Sequence, residues 1–195
     1  SIMRVISGLA RGTKLKTIDE MTTRPTLDRV KESLFNILQN QIKNSVVLDL
    51  FAGSGALGIE ALSRGAAKAY FCDTNRDAIN VIKENLNKTR LISKAEVFNV
   101  DYKKALNNIN ESFDLIFLDP PYKLDIAVDA LKSIINNNLL KSEGIIVIET
   151  DEIDRDINEL YNLSEIDIID KRKYGRANLI FLKRKNWFFI EERGK

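Results

Sequence analysis

Asp119-Pro120-Pro121-Tyr122 places a carboxylate, two prolines and an aromatic ring directly after the apolar run Leu115-Ile116-Phe117-Leu118. That run reads as a fully buried parallel strand. A proline has a fixed φ and lacks an N–H, so the loop is stiff and offers carbonyls without competing donors. The Asp119 carboxylate and the Pro120 carbonyl can both accept hydrogen bonds from one planar NH2 group, while Tyr122 stacks on the flat ring that carries it. Such a constellation suits chemistry at the exocyclic amino group of a base. By itself the tetrapeptide is equally a rigid turn closing a strand, because short motifs recur by chance.

A second stretch narrows the choice. Gly53, Gly55 and Gly58 follow a predicted strand and precede a predicted helix in the spacing G-x-G-x-x-G, and Asp73 ends the next predicted strand. A carboxylate at that distance takes a ribose diol. Both a nicotinamide or flavin dinucleotide and S-adenosylmethionine (SAM) carry one. In an open α/β sheet the ligand lies over the carboxyl ends of the strands, so Asp49, Asp73, Asp101 and Asp119 are expected to face one crevice. Acidic groups suit the sulfonium and ammonium of SAM and repel a pyrophosphate. A single strand-end aspartate is an ordinary loop former or cap; a set at successive strand ends, with a glycine loop between, argues for a cationic ligand.

Composition removes other chemistries. The chain has no histidine, which excludes Ser-His-Asp hydrolysis, Cys-His chemistry and histidine-based metal catalysis. One cysteine, Cys72, cannot build a disulfide framework or a multi-Cys zinc site. No metal is expected. With 195 residues, 44% hydrophobic and 30% charged, the profile is that of a soluble domain with a full core and room for a small appendage. No apolar run approaches a membrane span and no signal-peptide core is evident, so a cytoplasmic protein is expected. The net charge of +2 says little about partners. Its distribution says more: Arg4, Arg11, Lys14 and Lys16 cluster early, and Lys171, Arg172, Lys173, Arg176 and Lys183-Arg184-Lys185 cluster late. These are candidate phosphate contacts, although lysines on an edge hairpin also discourage aggregation.

The elements that must position these residues follow from periodicity. Met3–Ile6 and Lys14–Thr17 read as two short strands around a glycine-bounded turn. A helix follows, with Thr26 as its N-cap and Leu27, Val30, Leu34, Ile37 and Leu38 on one face. Gln39–Ser45 reads as a polar linker. From Val46 onward predicted strands (Val46–Leu50, Ala69–Asp73, Ala95–Asn99, Phe113–Leu118, Gly144–Glu149) alternate with helices (Ile59–Arg64, Asn75–Lys88, Tyr102–Asn107, Leu124–Asn136, Ile153–Leu160). Such alternation is the signature of a doubly wound parallel sheet. Ile166–Lys171 and Asn178–Lys183, joined by a short turn, are expected to pair antiparallel.

Asp49-Leu50-Phe51-Ala52-Gly53-Ser54-Gly55 and Asp119-Pro120-Pro121-Tyr122 resemble the SAM loop and the amino-methyltransferase loop of class I methyltransferases. More narrowly, the chain resembles the RsmD-type enzymes that methylate guanine N2 in bacterial small-subunit (16S) ribosomal RNA. Carrying this are Arg4-Val5-Ile6-Ser7-Gly8 with Arg11-Gly12, Thr23-Arg24-Pro25-Thr26 with Arg29-Val30-Lys31-Glu32 and Leu34-Phe35-Asn36, and Lys173-Tyr174-Gly175. The resemblance implies a Rossmann-like α/β fold with a seven-stranded, mostly parallel sheet of order 3-2-1-4-5-7-6, an antiparallel last strand and a small N-terminal β-hairpin. The expected layout is a basic hairpin over 1–22, a methyltransferase domain over 23–185, where the resemblance ends, and a tail over 186–195 that matches no pattern of the family. The resemblance also implies roles. Ala52, Gly53 and Gly55 lie near the methionine part of SAM and Asp49 near its ammonium. Asp73 takes the ribose, Asp101 the adenine amino group with Tyr102 nearby, and Arg24 and Thr26 cover the cofactor. Asp119, Pro120, Pro121 and Tyr122 hold the target base. The implied partner is ribosomal RNA, a small subunit or an assembly intermediate, contacted by Arg4, Arg11, Lys14, Lys16, Lys173 and Arg176. A DNA adenine-N6 methyltransferase, a dinucleotide-dependent oxidoreductase and a non-catalytic RNA-binding assembly factor stay open as alternatives.

Overall fold

A computed structural model describes residues 3–18, 25–120, 124–151 and 153–185. Arg24, Pro121, Tyr122, the side chain of Thr26 and the tail 186–195 lie outside the described residues. The order is α1 (Pro25–Ile37), α2 (Gln39–Ile42), β1 (Val46–Asp49), α3 (Ala56–Ser63), β2 (Lys68–Cys72), α4 (Arg76–Lys88), β3 (Ala95–Phe98), α5 (Tyr102–Asn108), β4 (Phe113–Leu118), α6 (Leu124–Asn136), β5 (Leu140–Thr150), α7 (Ile153–Tyr161), β6 (Ile166–Tyr174) and β7 (Ala177–Arg184). The strands form one seven-stranded sheet in the order β3-β2-β1-β4-β5-β7-β6. β1 to β5 are mutually parallel where they pair, and β7 runs antiparallel to both its neighbours. The expected class I methyltransferase architecture is therefore present.

Alternation along the inner strands fills two core layers. Val47 and Phe117 face one layer, with Leu34 and Phe35 of α1, Ile59 of α3 and Ile82 of α4. Leu48, Ile116 and Leu118 face the other, with Leu106 of α5 and Leu131 and Ile134 of α6. The centroids of the Phe35 and Phe117 rings lie 5.8 Å apart, which fixes α1 over the middle of the sheet. Strand order reverses between β1 and β4, the place where such a sheet opens a crevice. Among the described residues no helix is long and apolar enough to cross a membrane.

Four local expectations are corrected. The N-terminal pair of strands reduces to one antiparallel bridge, Arg4 with Lys14. Helix side chains take the donors a longer ladder would use. The Ile6 and Ser7 N–H groups donate to Glu60 at 2.9 and 3.1 Å, and the Lys16 N–H donates to Asn85 at 2.8 Å. Thr26 is not an N-cap, because α1 already starts at Pro25; a proline suits the first helical position, where an N–H would lack a partner. The linker contains α2, whose Ile42 is 2% exposed and anchors it to the core. β5 begins earlier than expected, at Leu140, across an irregularity where Phe113 pairs with Leu140 and Leu115 with Ile145. Gly144 sits there, and a Cβ on it would lie 2.5 Å from Leu140 and 2.9 Å from the Phe113 carbonyl oxygen.

Candidate active site

Three adjacent parallel strands aim carboxyl groups at one place. Asp49 pairs in register with Phe117, and Phe117 with Val147, so these three side chains share a face. Asp119 and Glu149 lie two residues further along the same strand directions and so emerge on that face again. With Phe51, Ala52, Gly53 and Ser54 of the loop after β1, and Asp28, Lys31 and Leu34 of α1, they line a crevice of ≈ 280 Å³. Sequence reading placed Asp49 and Asp119 here but missed Glu149, Asp28 and Lys31. Glu149 carries the same signal as the aspartates, a carboxylate at the end of the apolar run Ile145-Ile146-Val147-Ile148.

The glycine loop owes its shape to two side chains. Asp73 accepts from the Gly53 N–H at 3.0 Å and from the Asn75 N–H at 2.9 Å. Asp49 accepts from the Gly58 N–H at 3.1 Å. Gly53 adopts φ 57° with nothing within 4 Å of where a Cβ would be, so its backbone conformation and not crowding asks for glycine. Gly58 is the opposite case: a Cβ there would sit 2.3 Å from the Phe71 ring. Asn85 is fully buried on α4; its amide donates to the Lys16 and Ser54 carbonyls, each at 2.9 Å. It thereby ties the N-terminal segment to the glycine loop.

Of the four strand-end aspartates, Asp49 and Asp119 line this crevice. Asp73 braces the loop as described, and Asp101 is exposed and caps α5, accepting from the Lys104 N–H at 2.8 Å. The half-buried Tyr102 packs its ring 5.6 Å from that of Phe51 and donates to Asp129 at 2.7 Å. Pro120 is half-buried behind Asp119. Cys72 is buried, and burial pushes its thiol up to about 12, so it supplies no thiolate.

Electrostatically the crevice is a crowded acid site. Burial raises the Asp49 carboxyl to about 7, with the Asp73 charge adding to it and the Gly58 N–H opposing. Burial raises both Asp119 and Glu149, and the Glu149 and Asp49 charges raise Asp119 further. Two carboxylates at adjacent strand ends repel, so ionising one disfavours ionising the other. Asp119 opens onto the crevice and water reaches it, which moderates its shift. Among the described residues neither carboxyl has an ion-pair partner. The Lys31 ammonium is turned away, donating to the Arg4 carbonyl at 2.7 Å and lying 3.4 Å from Glu60.

The basic residues divide. Arg4, Arg11, Lys14, Lys173 and Arg176 are exposed and make no ion pair among the described residues. Lys16 lies 3.2 Å from Glu84. Lys183 meets Glu143 at 3.2 Å, and Arg184 donates to Asn138 at 2.8 Å. Val5, Leu15 and the half-buried Tyr174 all pack into the core layer that contains Val47 and Phe117. Both basic segments therefore border the sheet face that carries Asp49, Asp119 and Glu149.

Comparison with known proteins adds to this geometry. A family model described as Conserved hypothetical protein 95 matches residues 3–183. A Haemophilus influenzae protein named Ribosomal RNA small subunit methyltransferase D is 44% identical over 154 residues, 77% of this chain and 79% of its own length. The protein of that name from Escherichia coli K12 is 37% identical over 149 residues, 76% and 75% of the two chains. A solved structure from Escherichia coli matches with a TM-score of 0.82 at 30% identity, covering 95% of this chain and 99% of that one.

Proposed function

The chain belongs to the Conserved hypothetical protein 95 family, the RsmD-type methyltransferases, and from that premise we propose that it transfers a methyl group from SAM to the N2 amino group of a guanine in small-subunit ribosomal RNA. The observation that carries the reading is Asp119, held beside Pro120 at the mouth of β4 in a crevice where, among the described residues, the charged groups turned toward the ligand space are acidic.

The crevice suits SAM. Its floor is a glycine loop with open space at Gly53, and its carboxyls Asp49, Asp119 and Glu149 lack a cation among the described residues. Asp49, Ala52, Gly53 and Gly55 would hold the methionine end, Asp73 the ribose, and Asp101 and Tyr102 the adenine, with Arg24 and Thr26 covering the cofactor. When bound, SAM supplies an electrophilic methyl group. Asp119 and the Pro120 carbonyl accept the two N–H groups of the target amine and direct its lone pair into the crevice. As the nitrogen becomes positive, the same two acceptors stabilise the charge. The cationic product loses a proton to water, so no histidine base is required. Pro121 stiffens the loop and Tyr122 stacks on the base, which must be unpaired or extruded to reach it. Residues 1–22 then act as an RNA-gripping extension of a catalytic domain over 23–185, with Arg4, Arg11, Lys14, Lys16, Lys173 and Arg176 on phosphates.

The test is transfer from labelled SAM to small subunits lacking the modification, with nucleoside analysis, for the wild type and Asp119→Ala. N2-methylguanosine from the wild type, reduced about 100-fold or more in the variant, is expected. Label in N6-methyladenosine would move the assignment to an adenine enzyme, and undetectable SAM binding would remove the cofactor.

A further inference from the structure

Asp119 is the expected amine acceptor, yet the structure gives it a neighbour that this role does not use. Leu118 and Ile148 are partners in the β4–β5 register, so Asp119 and Glu149 are side by side at the two strand ends. Both line the crevice, and neither has an ion-pair partner among the described residues. Among the described residues the groups facing them offer no relief. Asp49 lies one layer below with the same charge sign, Asp28 stands across the crevice, and the Lys31 ammonium is engaged by Glu60 and the Arg4 carbonyl. Two adjacent carboxyl oxygens facing a cleft match two adjacent N–H donors on one edge of a ligand.

We propose that Glu149 sets base specificity: its carboxylate accepts the N1–H of the target guanine while Asp119 and the Pro120 carbonyl hold the N2 amino group. This rests on the guanine-N2 reading above and explains how the site would enforce it. Guanine presents N1–H and N2–H side by side. Adenine presents its amino group beside the N1 lone pair, which a carboxylate repels, since an ionised carboxylate only accepts hydrogen bonds. A site built for a donor rejects the analogue that lacks it, because a buried polar group is then left unpaired. Burial favours protonated carboxyls in the free protein; any proton they hold leaves to solvent as the guanine docks, and the carboxylates then accept from the base.

The experiment uses small-subunit RNA carrying either guanine or 2-aminopurine at the nucleotide that the wild type methylates. 2-Aminopurine keeps the N2 amine but has a lone pair at N1 in place of N1–H. Transfer is read by label, and base docking by 2-aminopurine fluorescence. The wild type is expected to favour guanine on the order of 100-fold. Glu149→Gln, whose amide both donates and accepts, is expected to compress that ratio by about tenfold or more and to let 2-aminopurine dock. Glu149→Met, a second variant with no polar group, should also lower the ratio, by weakening guanine. If Glu149 only props Asp119, both substrates fall together and the ratio stays at the wild-type value in both variants, which overturns the proposal. An equal rate on both bases by the wild type also overturns it. Wild-type failure to form N2-methylguanosine is a different result, since it removes the proposed function first.

Discussion

The Lys31 ammonium lies 3.4 Å from the fully buried Glu60 carboxylate and is itself only 6% exposed. Glu60 also accepts from the Ile6 and Ser7 N–H groups and from Arg64 Nε at 2.8 Å. One carboxylate on α3 thus fastens α1 and the N-terminal segment together. Replacing Glu60 by Ala leaves a buried ammonium and two backbone donors without their acceptor. A loss of about 3–5 kcal/mol in urea unfolding is expected, with hydrogen exchange at Ile6 and Ser7 speeding up. A loss below about 1 kcal/mol, the scale of an exposed pair, would show that the clamp carries little.

Gly58 lies inside α3, where alanine normally stabilises by about 1 kcal/mol. Here the added methyl would meet Phe71 at 2.3 Å, and Phe71 is fully buried. Overpacking costs about 1–3 kcal/mol and outweighs propensity. Gly58→Ala is expected to lower the melting temperature, and a rise would mean that Phe71 moves aside freely.

Asp49 carries a pH signature. Folded, its carboxyl holds a proton up to about 7; unfolded, it loses it near 4. In that window the folded state binds more protons, so the unliganded protein loses stability as pH rises through it, by roughly 4 kcal/mol at most. Asp49→Asn removes this penalty. Its urea midpoint should exceed the wild type's at pH 8 and match it near pH 4. If Asp49 holds the SAM ammonium, wild-type SAM affinity falls below pH 7, and the variant binds weakly with no such dependence. Equal pH–stability curves for the two proteins would contradict the burial effect.

Arg4 and Lys14 are opposed across their bridge, and like charges so placed are destabilising. An RNA phosphate between them would offset that cost. Arg4→Gln and Lys14→Gln should each reduce the salt slope of RNA binding by about 0.7–0.9 without lowering stability. An unchanged slope would take these residues out of the interface.

What the sequence made legible depends on how local the cause is. Phe113–Leu118 and Leu124–Asn136 agree with expectation at both ends, because apolar runs and periods are bounded by polar neighbours. Asp49 and Asp119 were visible as strand-end carboxylates. Glu149 ends an apolar run in the same way, but its place beside Asp119 comes from the β4–β5 register, which the sequence alone does not reveal. Glu60 and Asn85 were equally hidden. On an amphipathic helix a polar residue reads as solvent-facing, and only the docked N-terminal segment shows why both are 0% exposed.

The place of β7 has a consequence for the timing of folding. β7 is made after β6 but lies between β5 and β6. Until Ala177–Arg184 leaves the ribosome, β6 has no neighbour in the sheet and β5 keeps a bare edge along Ile146–Thr150. Such an edge invites pairing with other chains. Nascent chains stopped before Ala177 are thus expected to depend on chaperones, and those extended past Arg184 to fold in one cooperative step.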